Sequence, residues 1–406
     1  MFVHWGLYAI PSRGEWVRGH ERMSDEAYHS LLRLFNPVDY NPREWAAIAR
    51  EAGMRYVVLT AKHHDGFCLF DSRHTDWKST NTPARRDLIA EYAAACRDAG
   101  LKVGLYYSLL DWNHPHYPID HLHPLRENAE AKARPRDLSV YQDYLHAQVR
   151  ELLTNYGEIS LLWLDFSYGE MSGAVWRAEE LVGMIRQLQP GLMLNNRLVA
   201  GHTQINEPPR YGDFATPEQT IPPVQPRLAD GTPAVWESCI TLNDHWGFDR
   251  SDLRYKSPTD CVRMLIDCVS KGGNLLLNVG PNARGVIPAP SREILSRVGQ
   301  WLRLNGEAIY GCTSADQPRP AWGAYTAGNG CLYAHITHHP CGPIGLPGLA
   351  GKIRHATLLA DGSDVSLARP WMVGDNTTDA FLTLPHTALR NTACEVDIPV
   401  VRLELA

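Results

Sequence analysis

The chain has 406 residues, 44% of them hydrophobic and 21% charged, with a formal net charge of -6. That balance can bury a sizeable core, and the length exceeds one small domain. No Lys/Arg run is longer than a pair and no stretch approaches a membrane span of ~18 apolar residues, so nucleic-acid and anionic-membrane roles lack their footprint.

Met1-Phe2-Val3-His4-Trp5 has neither the basic start nor the apolar run of a secretory signal, and a cytoplasmic location is expected. The 9 cysteines are scattered, with no CxxC pair, as reduced thiols would be.

Short apolar runs alternate with segments of helical period up to about residue 310. In chain order, strands are expected at 2–5, 56–61, 103–108, 161–165, 192–195, 234–237 and 275–279. Helices are expected at 42–52, 87–99, 139–156, 175–188, 258–269 and 291–305. Trp45, Ala46, Ile48, Ala49 and Ala52 mark one core-facing stripe, and Gly53 and Gly100 stand where helix caps belong.

This alternation implies a parallel sheet, and its length favours a closed (β/α)8-like barrel, regular or irregular. Only seven strands are legible. An eighth is expected to be missing, irregular or hidden in the polar stretch 201–231, which also reads as an active-site loop. After Cys312 short strands at 332–337, 354–359, 379–384 and 396–405 alternate with turn residues. The expected organisation is therefore a catalytic barrel over 1–312 and an antiparallel β-sandwich over 313–406.

Barrel function gathers at the carboxyl ends of the strands. Here those ends read His4-Trp5-Gly6, Lys62-His63-His64-Asp65, Tyr106-Tyr107-Ser108, Asp165, Asn195-Asn196-Arg197 and Trp236-Glu237. An arbitrary Asp is more often a cap or a salt-bridge partner; with several polar ends converging, Asp165 reads as functional instead. Adjacent His63 and His64 point to opposite sides of an extended segment, so one of them can be packed while the other works. A metal centre at His4, His63 or His64 and Asp165 is an alternative, but it has no defined ligand spacing. Trp5, Trp16, Tyr107, Trp163 and Trp246 fit a sugar-lined cleft better, although any one of them is as readily core.

At these residues the chain resembles the α-L-fucosidases of glycoside hydrolase family 29. The likeness is carried by His4-Trp5-Gly6-Leu7-Tyr8, Gly14-Glu15-Trp16, Thr60-Ala61-Lys62-His63-His64-Asp65-Gly66-Phe67 and Gly104-Leu105-Tyr106-Tyr107-Ser108. Leu162-Trp163-Leu164-Asp165, Trp236-Glu237, Trp246-Gly247-Phe248 and 272–281 continue it. The resemblance implies an irregular barrel followed by a β-sandwich, and cleavage with net retention and no cofactor. The substrate it implies is a fucosylated oligosaccharide or glycoconjugate, with no nucleic-acid or membrane partner.

Carried over by position, Asp165 is the expected nucleophile. His4, Glu15, Trp16, His63, His64, Tyr107, Arg197 and Trp246 are the expected sugar-binding set. Glu218 is the expected acid/base, with Glu237 as second candidate. The family's lead-in to its His-Trp-Gly strand is not in this sequence, and Asp165-Phe166 stands where Asp-Gly is common. An α-L-galactosidase, a non-catalytic fucose-binding protein and a metal-dependent barrel hydrolase are the alternatives.

Overall fold

A computed structural model describes residues 1–199, 205–206, 211–338, 342–384 and 396–406. Its first layer is a parallel sheet of seven strands: β1 Phe2–Val3, β2 Tyr56–Lys62, β3 Lys102–Ser108, β4 Leu161–Asp165, β5 Met193–Leu194, β6 Glu237–Thr241 and β7 Asn274–Val279. They lie in the order β5-β4-β3-β2-β1-β7-β6.

Side-chain alternation divides the residues on the two faces of this sheet. Val57, Leu59, Leu105, Leu162 and Leu164 join the core that includes helices Pro42–Glu51, Leu88–Asp98, Leu138–Asn155 and Ala178–Leu188. Phe2, Val58, Tyr106, Trp163, Cys239 and Leu276 form a second cluster on the other face. Helix starts follow their capping chemistry. Asn41 accepts from Arg43 and Glu44 amides, and Ser257 with Asp260 forms a capping box before Pro258–Val269.

β5 and β6 are the sheet's edges, and a segment of the expected irregular loop lies between them. Phe214 bridges Asn195, Ala215 bridges Trp236, and Glu218 bridges Cys239. Residues 201–204 and 207–210 of that loop lie outside the described ones.

One strand is displaced from its expected place. β6 begins at Glu237, where the expected strand 234–237 ends. The run Glu237-Ser238-Cys239-Ile240-Thr241 looks too polar for an inner strand, yet all of it is buried. Ser238 and Thr241 are satisfied from the loop that precedes the strand, by the Thr220 carbonyl and by Gln219. Glu237 therefore sits at the amino end of its strand, paired with Asn274 at the start of β7.

After residue 312 come β8 Thr313–Ser314, β9 Gly323–Gly328, β10 Cys331–Ile336, β11 Ile344–Leu346, β12 Ile353–Leu358, β13 Ser366–Leu367, β14 Ala380–Thr383 and β15 Val400–Leu405. They form two antiparallel sheets, β12-β15-β10-β9-β8 and β11-β14-β13. Leu332, Ile336, Val401 and Leu403 of the first share one core with Ile344, Leu346 and Leu382 of the second. The Trp301 indole donates to the Ile398 carbonyl at 2.8 Å, tying this tail to helix Ala289–Asn305.

That helix crosses Pro42–Glu51 at Gly299, where an added Cβ would lie 2.1 Å from the Glu51 carbonyl oxygen. Gly299→Ala should therefore destabilise the protein by about 1–3 kcal/mol, although alanine is the better helix former. A thermal or urea unfolding midpoint at or above wild type would refute this close approach.

Candidate active site

A cavity of about 750 Å³ is lined by residues from several strand ends. Asp165 is the last residue of β4, and Trp163 precedes it by two on the same face. His4 follows β1, His63 follows β2, and Arg197 lies in the short 3₁₀ turn Asn196–Leu198 after β5. Glu218 comes from the segment that bridges β6, and Trp246 from the loop after it.

Two carboxylates share one cation here. Arg197 donates to Asp165 through Nη1 at 2.9 Å, and its Nη2 lies 2.9 Å from Oε2 of Glu218. The guanidinium is fixed from behind by the Thr216 hydroxyl at 2.7 Å and the Thr216 carbonyl at 3.0 Å. It also lies over the Trp163 ring, 4.7 Å from its centroid. The second oxygen of Asp165 accepts from the Tyr106 hydroxyl at 2.9 Å.

Burial pushes the Asp165 carboxyl up from its ordinary range. Arg197 opposes that rise, Glu218 adds to it, and the Tyr106 hydrogen bond opposes it again. Burial pulls the Arg197 guanidinium the other way, yet the two carboxylates hold it above its usual value. One positive charge thus stands between two carboxyl groups.

The remaining wall offers fixed polar atoms on an aromatic frame. His4 Nδ1 donates to Asn278 Oδ1 at 2.7 Å, and the Asn278 amide donates in turn to the Trp246 carbonyl at 2.8 Å. This relay leaves Nε2 of neutral His4 as an acceptor. Burial lowers His4 to about 3 and carries His63 and His64 well below the usual histidine value. Glu15 accepts from the Gly247 amide at 2.8 Å, which ties the Trp16 loop to the Trp246 loop, and burial raises its carboxyl.

Of the expected residues, His4, Glu15, Trp16, His63, Asp165, Arg197, Glu218 and Trp246 line this cavity. His64 stands behind it, with its ring 4.0 Å from Trp112 and 4.5 Å from Trp16. Nδ1 of His63 and both ring nitrogens of His64 meet no protein partner.

Two expectations need correction. Tyr107 points away from the cavity, donates to Gln148 at 2.9 Å, and lies 4.3 Å under the Lys62 ammonium. Strand alternation gives the cavity position to Tyr106, which sequence reasoning passed over although it is adjacent in the same motif. Glu237 is buried at the opposite, amino end of β6, bound by Tyr56 and by the Trp163 indole. Placing the strand three residues early had put it at the mouth.

Among the described residues no group of three or more His, Cys, Asp or Glu side chains is disposed to hold a metal ion, and no helix is long and apolar enough to cross a membrane.

Known proteins are similar to this chain in sequence and fold. An alpha-L-fucosidase isoenzyme 1 structure from Paenibacillus thiaminolyticus is 54% identical and superimposes with a TM-score of 0.96, covering 100% of this chain and 96% of its own. A Bacteroides thetaiotaomicron alpha-L-fucosidase, trapped as a covalent intermediate with 2-fluoro-fucosyl fluoride, is 27% identical with a TM-score of 0.86, covering 100% of this chain and 93% of its own. The tissue alpha-L-fucosidase of Rattus norvegicus is 31% identical over 368 residues, 84% of this chain and 74% of the relative. The sequence model described as Alpha-L-fucosidase matches residues 1–307, and the chain belongs to that family.

Proposed function

We propose that this α-L-fucosidase releases terminal α-L-fucose by double displacement, with Asp165 as nucleophile and Glu218 as acid/base. The observation that carries this reading is the single guanidinium of Arg197 held between the two carboxyls at 2.9 Å each. Such a span is compatible with the ~5–5.5 Å carboxyl spacing of retaining enzymes. We also infer that segment 214–218 closes the sheet into an irregular barrel over 1–312, with a β-sandwich over 313–406. The bridges across the sheet edges and the core shared by the two antiparallel sheets support that organisation.

In the first step Glu218 gives its proton to the leaving oxygen while Asp165 attacks the anomeric carbon. Asp165 then carries the sugar and no charge, so Arg197 is left to Glu218 alone. The ionised Glu218 is favoured in that state and draws a proton from the incoming water. His4 Nε2 accepts from a sugar hydroxyl, and His63, which lines the same cavity, meets another. These contacts strengthen as positive charge develops on the sugar ring.

Asp165→Asn and Asp165→Ala should abolish hydrolysis of 4-nitrophenyl α-L-fucoside, by 10³-fold or more on the order of a lost nucleophile. Azide should restore part of the Asp165→Ala activity as the β-fucosyl azide. Wild-type rates in either variant would remove Asp165 from this role. Glu218→Ala should slow substrates with poor leaving groups far more than activated aryl fucosides, because only the former need protonation. Glu237→Ala should instead lower stability without that leaving-group dependence; the opposite pattern would reverse the assignment.

The histidines also fix a pH dependence. His4 and His335 are lowered to about 3 by burial, and His63 and His64 are lowered too. Below pH ~6.5 the unfolded chain protonates them while the fold keeps them neutral, so stability falls as pH falls, by up to about 1.4 kcal/mol per histidine per pH unit. Asp65, raised to about 6 by burial, acts in the opposite sense, as do Glu15, Asp165, Glu237 and His245, which the fold also raises. Against these five stand seven histidines lowered chiefly by burial, His114, His123 and His146 joining the four above. Urea midpoints should drop between pH 6.5 and pH 5; a constant midpoint would contradict buried neutral imidazoles.

A further inference from the structure

Phe166, the residue after Asp165, has a backbone φ of 75°. That is the left-handed region, which a bulky aromatic residue rarely adopts because its Cβ crowds the backbone. Strain of this kind persists only where the surroundings over-determine it, and it gathers at functional sites. Here the surroundings are specific. The Phe166 ring meets Trp16 at 5.7 Å, His64 at 5.7 Å and His63 at 6.1 Å, at interplanar angles of 78°, 60° and 88°.

The unusual backbone has a geometric effect. In an extended strand consecutive side chains face opposite sides, and Leu164 and Asp165 obey this: Leu164 joins the core that includes the helices, and Asp165 lines the cavity. Phe166 should turn back toward the helices, but it lines the same cavity as Asp165. The left-handed residue breaks the alternation and sets an aromatic ring beside the nucleophile.

Depth separates this ring from the mouth. Along the wall that runs outward from Asp165, Phe166 is half-buried and Ser167 is buried, with its hydroxyl on the Leu198 carbonyl. Gly169 is exposed at the rim, as are His121 and Gln219 on other walls. Leaving groups depart through the rim, whereas the ring of Phe166 stands inside it with Trp16 and His63. It carries no polar atom, so what it can offer is a flat face for the C–H surface of a sugar.

We propose that Phe166 is a specificity-determining residue, held in a strained backbone so that its ring seats the apolar face of the fucosyl unit next to Asp165. This rests on the fucosidase reading above. The strain and the ring have separate signatures. Glycine tolerates φ of 75° freely, so Phe166→Gly loses both, Phe166→Ala loses the ring and keeps the strain, and Phe166→Leu keeps apolar bulk without a flat face.

The experiment measures three quantities on wild type and these three variants: L-fucose binding by titration calorimetry, kcat/KM on two aryl α-L-fucosides of different leaving group, and the melting temperature. All three variants should bind L-fucose about tenfold more weakly or worse. Their kcat/KM should fall by a similar factor on both aryl fucosides, because the ring touches the sugar and not the aglycone. Phe166→Gly should melt above Phe166→Ala. Unchanged L-fucose affinity in the folded variants would overturn the proposal, as would a loss confined to one leaving group. Phe166→Gly melting at or below Phe166→Ala would refute the stored strain. A wild-type protein that binds L-fucose but cleaves neither aryl fucoside would sink the hydrolase reading instead.

Discussion

The site depends on the guanidinium of Arg197. Its three nitrogens are all engaged, by Asp165, by the side chain and carbonyl of Thr216, and by Glu218. A lysine could not reproduce this, because a point charge on a flexible stem has no planar fork with which to set two carboxyls at once. With the side chain only 6% exposed, these attractions act where water screens them little. Burying the Asp165 carboxylate without this cation would carry a desolvation cost that the ion pair offsets.

The rest of the fold serves that contact. Asp165 is placed by the end of β4 and Arg197 by the turn after β5, and those two strands pair directly through Leu161–Met193 and Leu162–Leu194. Tyr106 arrives from β3, which pairs with β4 on its other side. Three neighbouring strands therefore fix the Asp165 carboxylate, its cation and its hydrogen-bond donor with little reliance on loop conformation. Trp163 beneath them is stacked on Tyr106 at 5.9 Å and gives the guanidinium an aromatic bed.

Much of this was legible in the sequence, for reasons that differ between elements. Leu161–Asp165 and Pro258–Val269 were read with their observed bounds, the first from its nearly pure apolar run and the second from its helical period. Asp165 stood out as a charge at the end of such a run. The choice between Tyr106 and Tyr107 failed because it is decided by which face of β3 turns inward, and two adjacent tyrosines give no periodic clue. Glu237 was misplaced because a buried strand containing Glu, Ser and Thr carries no hydrophobic signature; its polar groups are satisfied by partners distant in sequence. The left-handed Phe166 is invisible to any composition rule, since sequence expectation puts glycine or asparagine at such positions.

The bridging of residues 214–218 across the sheet edges has a consequence for how the enzyme comes into being. Glu218 is carried by the seam itself, whereas Asp165 belongs to a strand already secured on both sides. A chain with the strands assembled but the seam unseated would hold Asp165 and lack the second carboxyl that shares its cation. Seating of the seam and completion of the two-carboxyl constellation around Arg197 are thus one event.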